Sequence, residues 1–247
     1  MPRTAVTVPT EDGACAATLH TPPDGERRPA VILYPDAVGA RETFAAMADR
    51  LADLGYAVLL PDVYYRAGGY APFDVTTLFS EPAERERLMA LAASLTTEMI
   101  VRDAGAFLTF LADRPEVSGA GAGTTGYCMG GRTSLIVAGH YPDRVVAAAS
   151  FHGGQLGATD DPGSPHLLAD RTTATVYVAA AENDDHCPPE QHERLDQALT
   201  AAGVKHTIDT YPAAHGFAVP DNPTYDATAA ERHWTALADL YAENLRS

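Results

Sequence analysis

The chain has 247 residues, 46% of them hydrophobic, with 33 acidic against 17 basic side chains and only three cysteines. That length supports a sizeable buried core. The formal net charge of −16 argues against nucleic acid or an anionic membrane as partner, since both are met by clustered basic side chains. No apolar run reaches the ~18 residues that span a bilayer, and the opening MPRTAVTVPT lacks the apolar stretch of a secretory signal. Cys15, Cys128 and Cys187 make no disulfide framework, so the expectation is a reducing cytoplasm.

In chain order, Cys15 falls in an early strand as apolar filler. Residues 30–34 (AVILY) form a short continuous apolar run, as expected of a strand buried on both faces of a parallel sheet. Phe44, Met47, Leu51 and Leu54 then recur at helical spacing, and Gly55 stops the helix. A second strand comes next at 56–60. Residues 62–82 are irregular and carry Tyr64, Tyr65, Tyr70, Phe73 and Phe79. They read equally as a pocket wall or as a loop packing on its own rings. Further strands fall at 145–149 and 174–180. Pro189 opens a helix whose apolar face is Leu195, Ala198, Leu199 and Ala202, with Gly203 after its end. His206 lies in a strand, and the stretch from Tyr225 to Leu245 is helical. This alternation predicts one α/β domain over residues 1–247, with a mostly parallel central sheet and helices on both faces. No internal repeat or dividing linker interrupts it.

Residues 123–131 read GTTGYCMGG and precede a helical stretch from Arg132 to His140. Strand, G-x-C-x-G, then helix is the pattern of a nucleophile elbow with cysteine in place of serine. Such a turn needs Gly126 and Gly130 so that the flanking backbones can approach. It lifts the Cys128 side chain above the sheet and aims the Met129 amide at a substrate oxyanion.

Through the elbow Gly126-Tyr127-Cys128-Met129-Gly130-Gly131, the chain resembles the dienelactone hydrolase family of α/β-hydrolases. The resemblance runs from Tyr34-Pro35-Asp36 to His215-Gly216-Phe217. It implies an α/β-hydrolase fold and hydrolysis of a small ester or lactone. Chain order in this fold is nucleophile, acid, histidine. Of nine histidines, His215 comes after the last strand, where the fold keeps its base. His20 reads as preceding the sheet, His140 and His166 as lying on the elbow helix and in a loop, and His192 and His233 as solvated helix residues. The fold's D-x-x-x-P pattern selects Asp184, with Pro188 at +4, and leaves adjacent Asp185 as the competing acid. His186 and Cys187 beside it, even with Cys128, lack zinc-ligand spacing, so no metal is expected.

The second oxyanion amide is expected from Ala37, after the first long strand. The family has a glutamate in the place of Asp36 that modulates the nucleophile; Asp36 inherits that role or is a helix N-cap near Arg41. The family also clamps a substrate carboxylate with arginines. One of those positions is Val219 here, and Arg85 or Arg87 could substitute for another or equally be a solvated helix charge paired with glutamate, which favours a neutral or differently shaped ester or lactone. Tyr127, His152 and Phe217 are candidate substrate contacts. No cofactor motif is present, and the sequence gives no oligomeric state. Two rival readings are thioester or peptide hydrolysis on the same fold, and a ligand-binding homologue without turnover.

Overall fold

Successive residues of a strand point to opposite faces of its sheet, and in β3 (Arg28–Tyr34) this alternation divides one apolar run between two cores. Val31 and Leu33 enter one buried cluster, while Ile32 and Tyr34 enter another. The computed structural model describes residues 2–78 and 80–245. Its eight strands form one sheet in the order β1-β2-β4-β3-β5-β6-β7-β8. The other strands are β1 (Arg3–Thr10), β2 (Gly13–His20), β4 (Ala57–Pro61), β5 (Val117–Tyr127), β6 (Val145–Phe151), β7 (Thr175–Ala181) and β8 (His206–Tyr211). From β4 to β8 every pairing is parallel. The antiparallel hairpin β1–β2 covers the β4 edge.

Helices cover both faces. On one side, α1 (Glu42–Asp53) and α6 (Ala227–Asn244) contribute Phe44, Met47, Leu51, Leu237 and Tyr241 to the core. On the other lie α3 (Thr97–Ala112), α4 (Met129–His140) and α5 (Pro189–Ala201), with Phe107, Leu111, Val137 and Leu199. Truncating a fully buried residue such as Leu51 to alanine would cost about 2–5 kcal/mol. The short helix α2 (Pro82–Ala93) packs apart from both, through a small cluster of Leu88, Phe73, Val75, Leu78 and Val38.

Three features depart from the sequence reading. Helix α3 has no counterpart among the predicted elements, because buried Asp103 interrupts its apolar face. Arg66 pairs with that carboxylate at 2.7 Å from both terminal nitrogens, and Tyr65 donates to it at 3.0 Å. His20 does not precede the sheet. It ends β2, fully buried, with Nδ1 2.8 Å from the Asp49 carboxylate. His233 is not a solvated helix residue but is wholly buried against Tyr127, Phe151 and Trp234.

The aromatic stretch 62–82 packs on its own rings and also reaches the loop after β3. Tyr64 meets Tyr70 edge-on at 5.9 Å, and Tyr70 lies 6.2 Å from Phe73. Phe79 lies outside the described residues. Between β3 and β5 the chain changes its direction of travel across the sheet. At such a switch point the loops leaving adjacent strands separate and open a crevice. The loops after β3 and β5 flank it.

Candidate active site

The elbow is fixed by main-chain contact. A Cβ placed on Gly126 would lie 1.9 Å from the Gly130 carbonyl oxygen, and one on Gly130 would lie 2.2 Å from that of Tyr34. Only glycine allows β3, β5 and the start of α4 to come this close. Cys128 sits at the turn with φ 55° and ψ −117°, a conformation costly to any residue with a side chain. Its own N–H continues the β5–β6 ladder to the Phe151 carbonyl at 3.1 Å, and its carbonyl accepts from Gly131 at 3.0 Å. The thiol is half-buried, whereas Cys15 and Cys187 are buried. Burial pushes Cys15 up to about 12 and Cys187 up to about 11, which makes both poor nucleophiles at neutral pH.

His215 stands on the loop after β8. Its Nδ1–H donates to Asp184 Oδ2 at 2.6 Å. The other oxygen of Asp184 accepts the His186 amide at 2.9 Å, so this buried carboxylate is held by two donors. Asp185, the competing choice, is exposed. The far nitrogen, Nε2, is buried and finds no well-formed hydrogen bond among the described residues, while the Cys128 sulfur is close enough to act on its charge. Burial disfavours the imidazolium, but Asp184 and the sulfur of Cys128 outweigh it and push His215 up to about 10. Two imidazoles flank this ring: exposed His186 at 4.6 Å between centroids and buried His152 at 5.1 Å.

The amides of Ala37 and Met129 find no acceptor among the described residues. Both are therefore free to donate. Asp36 does not cap α1, whose N-cap is Arg41 without a side-chain bond. Its carboxylate instead accepts from the Val38 amide at 2.9 Å and from Arg41 at 2.8 and 2.9 Å. Sequence reasoning missed Asp221, and it did not foresee Arg41 and Tyr64 as partners of this loop, because the three share no motif.

Several proposed substrate contacts are placed elsewhere. Tyr127 is fully buried and stacks on Phe151 at 5.4 Å. The His233 Nδ1–H donates to the Ala230 carbonyl, so its Nε2 accepts the Tyr127 hydroxyl at 3.2 Å. Tyr127 ends β5 just before Cys128, and strand alternation turns its ring into the core, which corrects its assignment to substrate. Phe217 is likewise fully buried, stacked on Tyr211 at 5.1 Å. His152 is 1% exposed, so its side chain meets His215 and Phe217 and not solvent. Arg85 is exposed on α2. Arg87 is committed to Glu84, to the Ala71 carbonyl and to the face of Phe73 at 3.7 Å. Val219, in the place of the family's arginine, is fully buried. Among the described residues no group of three or more His, Cys, Asp or Glu side chains is arranged to hold a metal ion.

Comparison with known proteins adds to this geometry. A family model described as the dienelactone hydrolase family matches residues 15–245. A Methylorubrum extorquens protein named "Putative carboxymethylenebutenolidase" is 28% identical over 241 residues, covering 96% of this chain and 80% of the relative. Among solved structures, one titled "Putative Dienelactone Hydrolase" from Klebsiella pneumoniae superposes with a TM-score of 0.83 at 25% identity, covering 98% of both chains. A dienelactone hydrolase-like promiscuous phosphotriesterase from metagenomic libraries, P91, gives 0.75 at 29% identity, covering 99% of both.

Proposed function

The chain belongs to the dienelactone hydrolase family and is a hydrolase of that type, and from this premise we propose that it cleaves a small, neutral ester or lactone through a thioester on Cys128. The observation that carries the proposal is His215. One nitrogen is fixed to Asp184 at 2.6 Å, and the other is buried beside the elbow cysteine.

The sulfur of Cys128, as thiolate beside the imidazolium of His215, attacks the carbonyl carbon. The oxyanion that forms is held by the Ala37 and Met129 amides, and losing one such donor typically reduces turnover ~10²–10³-fold. His215 gives its Nε2 proton to the departing alkoxide or enolate, leaving the acyl group on sulfur. Acylation removes the negative charge that Cys128 supplied, so His215 becomes less basic while Asp184 still holds its tautomer. The neutral Nε2 then takes a proton from water as that water attacks the thioester. Release of the acid restores the thiolate and imidazolium.

The charges around the site favour neutral substrates. Val219 replaces one arginine of a carboxylate clamp, and Arg87 is already paired with Glu84 and stacked on Phe73. A reducing compartment, the cytoplasm, suits a nucleophile that must remain a thiol. Residues 1–247 act as one hydrolase domain in this reading.

The test is turnover of p-nitrophenyl esters, lactones, a thioester, a peptide and an aryl phosphotriester, with Cys128→Ala as control. Ester or lactone turnover should fall to background in Cys128→Ala while circular dichroism shows the fold retained. Mass spectrometry of the parent protein should find the acyl group on Cys128 during turnover. Retained turnover in the variant would sink the assignment.

A further inference from the structure

The loop between β3 and α1 holds the Ala37 amide, and it is fixed far more completely than a surface turn requires. The Gly39 amide returns to the Asp36 carbonyl at 3.0 Å, closing a turn with Ala37 and Val38 at its centre. The peptide group between Ala37 and Val38 is then pinned at both ends. Tyr64 donates its hydroxyl proton to the Ala37 carbonyl at 2.8 Å, and the Val38 N–H donates to Asp36 Oδ1 at 2.9 Å. The same Tyr64 oxygen lies 3.4 Å from the Met129 sulfur, so one buried phenol touches both residues whose amides the proposed mechanism uses.

Asp36 is in turn held by Arg41, whose guanidinium has five N–H donors. All five are used. Two go to the oxygens of Asp36 at 2.8 and 2.9 Å, two to Asp221 at 2.7 and 2.8 Å, and one to the Gly39 carbonyl at 3.2 Å. Asp221 also accepts from Thr43 at 2.6 Å. It lies six residues beyond His215, on the loop that carries the base. A planar guanidinium shared between two carboxylates fixes both in angle as well as distance. The arrangement therefore joins the loop of the oxyanion amide to the loop of the base.

We propose that Asp36 and Arg41 are positioning residues that preset the Ala37 amide for the oxyanion, with Asp221 tying that amide to the loop of His215. The proposal rests on the acyl-transfer reading above. It assigns Asp36 a different task from control of the thiolate, because both of its oxygens are engaged by Arg41 and the Val38 amide. An oxyanion donor is effective only when it is already aimed before charge develops. The cost of holding it is met by these bonds during folding and not during turnover.

The decisive experiment separates two reactions of the same sulfur. Ester hydrolysis passes through an oxyanion, whereas alkylation of Cys128 by iodoacetamide is displacement at a saturated carbon and forms none. Asp36→Asn keeps the shape and an acceptor for Val38 but sets an amide donor against Arg41. Its kcat/KM for a p-nitrophenyl ester should fall about 10- to 100-fold, while its alkylation rate stays within about twofold of the parent's. Arg41→Lys, which keeps the charge but not the five-donor fork, should behave alike and serves if the first variant melts too low to assay. Alkylation falling in step with hydrolysis would show that Asp36 governs the thiolate and would overturn the proposal. So would hydrolysis that remains unchanged in both variants. Turnover surviving in Cys128→Ala would instead defeat the acyl-transfer reading, a result readable on its own.

Discussion

His215 and His152 lie 5.1 Å apart, edge to face, and burial opposes the charged form of both. They end in opposite states. His215 finds Asp184 and Cys128 and is pushed up to about 10. Among the described residues His152 has no hydrogen-bond partner on either ring nitrogen, and burial, reinforced by the charge of neighbouring His215, drives it well below its ordinary value. Residue type and depth do not decide which imidazole can carry a proton. The neighbours do: His215 has the Asp184 carboxylate and the Cys128 sulfur, and the ring of His152 has neither.

The largest effect should come from abolishing that difference. Asp184→Asn is expected to reduce kcat/KM roughly 10²- to 10⁴-fold, since the tautomer and the imidazolium both lose their support. Proton NMR should show His215 titrating well below about 10, toward the behaviour of His152. A titration that stays in place would mean that Cys128 alone raises it.

Stability against pH offers a second contrast. His215 is raised, so its contribution is complete below the unfolded value of 6.5 and is lost as pH rises through about 10. His152 and His233 are lowered, His233 to about 3 and chiefly by burial. Both contributions are present above 6.5 and are lost as pH falls below it, that of His233 as pH falls through about 3. Thermal melting should therefore be highest near neutrality and decline on both sides. His233→Phe should flatten the acid limb in part, and an unaltered limb would remove His233 as a cause.

The smallest effect is reserved for the neighbour of the acid. Asp185→Asn should leave kcat/KM within about twofold, as expected for an exposed side chain. A drop comparable to that of Asp184→Asn would place the working carboxylate at Asp185.

Legibility from sequence differed between these parts for physical reasons. The strands β3, β4, β6 and β7 announce themselves because a sheet covered on both faces demands unbroken apolar runs. The elbow is legible because a close backbone approach demands glycine at fixed offsets, and Asp184 and His215 are legible because the fold fixes their chain order. Helix α3 hid behind Asp103, whose charge is neutralised by Arg66, 37 residues away. Burial of His20, His233 and Tyr127 depends on what packs against them, which no local pattern records. The bonds of Arg41 to Asp221 span 180 residues and belong to no motif, so only the folded chain displays them.

The contacts of Gly126 and Gly130 have one more consequence. They set the pose of Cys128 with main-chain atoms, not with the side chains around it. In the proposed mechanism a sequence can therefore change the rings and charges at the rim without losing the pose of its sulfur. Inheritance of the chemistry is separated from inheritance of the specificity. Two glycines are the hinge on which that separation turns.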